Sequence, residues 1–247
     1  MQNAEDLLFK YHITPTLLSQ AQKSELQSLL SADAPALLAF FDEAQRELIE
    51  IGAKIEHLAT KLRNALEAPS LVMESILGNS SEKRVSFAEP FTKRALFDKH
   101  LGLIKNIDLT RADLERITIN LLSTRQTAEE TILSPAFPVK TTLYHIALQE
   151  KGQTETANAR KEQTETAIAV AARCAEDLLD LLNRADEALA YMISNAAHTE
   201  AQIRRDKRPQ TDYFNLLRTH QLSLHQLMET AEHIQKIAHK IQSSDTI

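Results

Sequence analysis

The chain has 247 residues with only 4 Gly, 7 Pro and no Trp, and 43% of it is hydrophobic. That excludes a sheet-rich fold, which draws on turn glycines and on aromatic and β-branched runs; Ala, Leu, Gln, Glu, Lys and Arg dominate instead, and these are good helix formers. A formal net charge of −6 argues against general nucleic-acid binding, where phosphates require a positive footprint.

In chain order, residues 4–12 predict a short amphipathic helix. Thr14 and Pro15 supply a cap and a first-turn proline for a second one, running to about Leu30 with Leu18, Leu26 and Leu29 or Leu30 inward. Asp33 and Pro35 then open a long helix over 34–68. Its apolar stripe, Leu37, Phe41, Ala44, Leu48, Ile51, Ile55, Leu58, Leu62 and Ala65, holds a 3–4 spacing throughout, the mark of a seam laid along another long helix. Pro69 predicts its end, because the residue before a proline is biased away from helical dihedrals. Ser70–Leu77 reads as a further short helical stretch, and 78–88 as an exposed loop.

A second long helix is expected over 90–133, with Leu96, His100, Leu103, Ile107, Thr110, Leu114, Ile117, Leu121, Thr124 and Ala128 in phase. Thr110 followed by Asp113 resembles a cap, so a kink or restart falls near Asn106–Thr110. The third long helix, 139–208, has a seam in its second half from Ile168 to Ile203. Its polar stretch 149–166 carries no apolar side chain larger than Ala, and Gly152 favours a break there. That stretch reads as a solvated projection or a loop. The fourth long helix, 212–242, places Leu217, Leu224, Leu227, Ala231, Ile234, Ala238 and Ile241 on one stripe. The expected fold is all-α: an elongated antiparallel helical bundle with coiled-coil-like seams, four long helices plus short N-terminal ones, in a single domain over 1–247.

Chemistry is sparser. His225, Glu229 and His233 share one helical stripe at i, i+4 and i+8, which suits a divalent metal if a fourth ligand joins, and a solvated polar face otherwise. His233-Ile234-Gln235-Lys236 resembles the His-x-x-Lys of histidine phosphotransfer bundles over four residues, without a following glycine. No His has Glu three residues before it, so the di-iron bundle pattern is absent. His100, on a seam, reads as a hydrogen-bonded core residue whose titration tunes packing. The single cysteine, Cys174, sits in an Ala-rich run and reads as a buried structural thiol. Arg204, Arg205, Lys207 and Arg208 form the one dense basic cluster, suited to a helix C-terminus or to anionic contacts.

No catalytic, dinucleotide or phosphate-loop motif appears, and no cofactor is implied. The leading expectation is a non-enzymatic protein mediating protein–protein interaction: an adaptor, scaffold or assembly subunit, with homo-oligomerisation through one seam. Its candidate contact residues are Gln153, Glu155, Gln163 and Glu165 together with the basic cluster. The alternative is a membrane-acting helical protein, against which no apolar stretch reaches the ~18 residues of a spanning helix. The N-terminus shows no signal-peptide pattern, so a soluble cytoplasmic protein is expected, with secretion lacking a cleaved signal left open.

Overall fold

A computed structural model describes residues 4–14, 18–78, 93–205 and 211–243. Among these residues the chain is all-α, with helices α1 (Ala4–Lys10), α2 (Gln20–Ser31), α3 (Ala34–Leu77), α4 (Lys93–Glu130), α5 (Phe137–Glu150), α6 (Thr154–Arg205) and α7 (Thr211–Gln242), in a helical-bundle arrangement. No helix among the described residues is long and apolar enough to cross a membrane. By its contacts the chain forms two compact units. The first comprises Met1–Ala53, Arg125–Arg173 and His239–Ile247, the second Lys54–Thr124 and Cys174–Ala238.

In the first unit, α2 starts at Gln20 rather than at Pro15, because Ser19 and Gln22 form a reciprocal capping box that satisfies two end amides. Asp33 caps α3 through the Ala36 amide at 2.9 Å. The stretch 139–208 is two helices, and the break falls at Gly152, where the sequence favours one. Helix α5 starts at Phe137 with Pro138 in its first turn, and the chain turns at Lys151–Gln153 around Gly152, whose φ of +80° suits glycine. The polar stretch is therefore neither projection nor loop: from Thr154 it is the opening of α6, with Ala157 and Thr164 buried. Small residues serve there because large ones come from the other side. Leu8, Leu26, Leu29, Leu37, Phe41, Leu143 and Ile146 fill the core around Ala157. Phe40 stacks on Tyr144 at 4.0 Å between ring centroids, and Lys140 lies over its ring.

In the second unit, α4 runs antiparallel to α3: Lys99 donates to the Ser75 carbonyl and Thr110 to the Ala65 carbonyl. It also runs antiparallel to α6, touching it through Arg111–Asp186 and His100–Ala196. The seam positions of α7 from Leu217 to Ala238 are buried here, as expected, and so is the Cys174 thiol. Two expectations fail together. Helix α3 continues through Pro69 to Leu77, and α4 passes Thr110 without a restart. A proline inside a helix leaves the carbonyl four residues earlier without its amide donor. For Pro69 that carbonyl is Ala65, and the buried Thr110 hydroxyl donates to it at 3.0 Å. Thr110 is thus the partner that lets α3 tolerate Pro69, not the cap of a new helix.

Candidate functional site

The open groove of the first unit lies between α3 and α6. Its floor is Phe41, Leu48, Ala167 and Ile241, with Thr164 beside them around a cavity of about 40 Å³. Toward the start of α6 it widens to about 660 Å³ between Gln45, Glu155, Thr156, Ala159, Arg160 and Gln163. Residues 155, 159, 163 and 167 recur every fourth position, so one stripe of α6 forms this wall. Arg160 ties the walls together, reaching Asp42 and donating to Gln45 Oε1, both at 3.2 Å. At one end the groove meets Ile241 and Ser243, where α7 finishes. The lining is an apolar strip rimmed by amides, a guanidinium and a carboxylate, with no nucleophile and base in register. The apolar end, with Phe41, Leu48, Thr164 and Ile241 buried, has room for a few waters at most, and the wide polar end is the part that can meet another molecule's side chains.

Of the contact residues expected from sequence, Glu155 and Gln163 stand in this groove. Gln153 instead starts α6, its carbonyl accepting the Ala157 amide at 2.8 Å, and Glu165 lies 3.8 Å from Lys161 on the exposed side. Phe41 reads from sequence as a seam residue only, and Gln45 and Arg160 carry no sequence signal, since no local pattern shows which seam residue will border an opening. The neighbouring end of α5 is pinned by Glu150, which accepts from Tyr11 Oη at 2.7 Å and from Lys10. Those bonds, led by Lys10, hold the Glu150 carboxyl below its usual range.

The second unit holds a polar layer inside its bundle. His100 on α4 lies with Nδ1 3.2 Å from Tyr213 Oη of α7 and Nε2 3.4 Å from the Ala196 carbonyl of α6. The carbonyl can only accept, so Nε2 carries the proton and Nδ1 takes the tyrosine hydroxyl, an arrangement of neutral imidazole. Burial pushes His100 below its ordinary value, against weaker opposing effects of the Ala196 carbonyl and Glu200. Burial likewise lowers His220, whose ring meets Tyr191 edge-on, and raises Tyr213. The cavity between His100, Asn195, Thr199, Tyr213 and His220 is about 20 Å³, room for about one water and no substrate.

No family model matches this chain, and neither the curated proteins nor the solved structures provide a match.

The remaining candidates lie apart from both places. His225 Nε2 is 3.3 Å from Glu229 Oε1, and both side chains are exposed, as is His233. Among the described residues no group of three or more His, Cys, Asp or Glu side chains is gathered as a metal would require. Arg204 bonds Glu200 at 2.7 Å and lies over the Phe97 ring at 4.9 Å. The Arg205 side chain, Lys207 and Arg208 fall outside the described residues, as do 79–92 of the expected loop and helix start.

Proposed function

We propose that this chain is a non-enzymatic helical-bundle protein that works by holding another protein, as an adaptor, scaffold or assembly subunit. The observation that carries the reading is the α3–α6 groove. Its apolar floor reaches Ile241, at the last turn of α7, and its rim offers Gln45, Gln163 and Glu155. A partner helix would lie along the wide end, with small side chains over Ala159 and polar ones bonding Glu155 and Gln163. Two contact residues expected from sequence alone, Glu155 and Gln163, lie on this rim.

The test is capture from native lysate with tagged wild type, Ala159→Trp and Gln163→Ala, read by quantitative mass spectrometry. Ala159 and Gln163 are exposed, so both variants should keep the wild-type circular dichroism and melting curve. A stoichiometric protein lost with Ala159→Trp and reduced with Gln163→Ala supports the groove. A partner that all three retain equally, or none captured by wild type, refutes it.

A further inference from the structure

Helix α4 is apolar on two opposite sides, and only one of them faces the core of the second unit. Leu96, Leu103, Ile107, Leu114, Ile117 and Leu121 are buried. On the outer side Leu101 (44%), Leu109 (57%), Ile119 (59%) and Leu122 (48%) are exposed, half of the large apolar side chains left exposed among the described residues. A surface helix ordinarily keeps that side polar. Here the outer stripe, Leu101, Lys105, Asp108, Ala112, Glu115, Ile119 and Leu122, has the alternating three- and four-residue spacing of a coiled-coil seam, and all seven are exposed.

We infer that this stripe is an interface for a second copy of the same chain, packed antiparallel about the Asp108–Ala112 turn. The charges choose the occupant and its direction. Antiparallel, Leu101 faces Ile119 of the other copy, Lys105 faces Glu115, and the small Ala112 leaves room for Asp108; each pairing occurs twice, with Leu109 of both copies near the two-fold axis. A parallel in-register pair would stack Lys105 on Lys105, Asp108 on Asp108 and Glu115 on Glu115, three like-charge layers. Sliding the antiparallel pair by one heptad either sets Ile119 against Asp108 or parts Leu101 from Ile119; in the assigned register Leu122 lies at the edge, level with Asp98. Of these registers this one alone joins Leu101 to Ile119 and Lys105 to Glu115, and it is isologous, the form a two-fold dimer requires. The contact runs about 27 Å along the helix. That is below a standard interface, so the dimer forms reversibly. The α3–α6 groove contributes no residue to it, so the two assignments stand or fall separately.

The test is sedimentation velocity of the full chain from low micromolar to near-millimolar concentration. Wild type should pass from monomer to dimer. Lys105→Glu and Glu115→Lys should each weaken the dimer at least about tenfold, by setting like charges face to face, and their combination should restore it. Ile119→Asp should abolish it. These side chains are exposed, and the charge-reversal rescue separates lost association from lost folding. For register, an equimolar mixture of Asp108→Cys and Ala112→Cys chains, mildly oxidised, should give more disulfide-linked dimer than either chain alone. A wild type that stays monomeric throughout overturns the inference, as does a dimer indifferent to all three single substitutions.

Discussion

The two units solve one packing problem by different means. In the first, the core around Leu8, Leu26, Phe41, Leu143 and Ile146 is apolar, the buried hydroxyls are those of Thr141, which bonds within its own helix, and Thr164, and the polar groups Lys10, Tyr11, Glu150 and Arg160 work at its edge. Apolar attraction has no direction, so arrangement there comes from chain geometry: the Ser19 capping box, the Asp33 cap and the Gly152 turn fix where each short helix starts and stops. The second unit is built from long helix segments whose Leu- and Ala-rich seams look alike from one heptad to the next. It buries His100, Thr110, Thr199, Tyr213 and His220 among them. A buried polar atom costs free energy unless it finds its partner, so the bonds that cross helices, His100 to Tyr213 and to the Ala196 carbonyl and Thr110 to the Ala65 carbonyl, resist a sliding helix. Among the described residues every buried side-chain nitrogen and oxygen has a partner.

The hardest blow to this contrast is struck at the apolar centre. Phe41→Ala should destabilise the first unit by about 3–5 kcal/mol, the usual cost of deleting a buried aromatic. Amide hydrogen exchange should then quicken in α1, α2 and α5 ahead of the Leu178–Leu189 stretch of α6. Equal acceleration in both would show one cooperative body and dissolve the comparison.

Next in size is the cross-helix bond of the second unit. Thr110→Val keeps the shape but leaves the Ala65 carbonyl without its hydroxyl, and should cost about 1–3 kcal/mol in urea denaturation. In a Pro69→Ala background the residue-69 amide is available to that carbonyl, so the same substitution should cost clearly less. Identical costs in the two backgrounds would separate Thr110 from Pro69.

How far the sequence reveals all this follows from the range of each interaction. The α7 positions Leu217, Leu224, Leu227, Ala231, Ile234, Ala238 and Ile241 are all buried, because a stripe on one helix needs only its own periodicity to be recognised. Pro69 misleads because the local rule is sound and its remedy, Thr110, stands on another helix. The opening of α6 misleads for a related reason: Ala157 and Thr164 are small, and the bulk that buries them comes from elsewhere in the chain. The groove is half legible for the same cause. Glu155 and Gln163 stand out in a polar run, whereas Phe41, Gln45 and Arg160 acquire their place only when α3 meets α6. In the polar layer His100 is visible as a seam residue, but Tyr213 and His220 occupy seam positions of α7 that their polarity conceals.

Acidity separates the units more gently. Burial holds the folded values of His100 and His220 below the ordinary 6.5. Above that value both states are neutral and no linkage arises. As pH falls through it, the unfolded chain takes up protons that the folded imidazoles refuse, so stability declines. Glu150 acts lower: its depressed folded value contributes stability that is present above 4.5 and lost as pH falls below it. Melting temperature should therefore hold level from pH 8 to about 6.5 and then fall, and the decline above pH 5 should flatten in a His100→Asn, His220→Asn double variant. An unchanged slope would remove the polar layer as its source.

The smallest effect tests whether surface charge matters to the bundle at all. Arg111 makes two bonds to Asp186, at 2.7 and 3.2 Å, and the partners are 40% and 48% exposed. It is the strongest-looking ion pair between helices of the second unit. Water and salt screen charges so placed, and holding two long side chains in one geometry costs entropy, so Arg111→Met should lose at most about 1 kcal/mol. That loss should shrink further in high salt, while the Thr110→Val loss, arising from a neutral buried bond, should not. If the ranking inverts, the register of α4 is set by charge on its flank rather than by the polar groups in its core, and the contrast between the two units has been drawn in the wrong place.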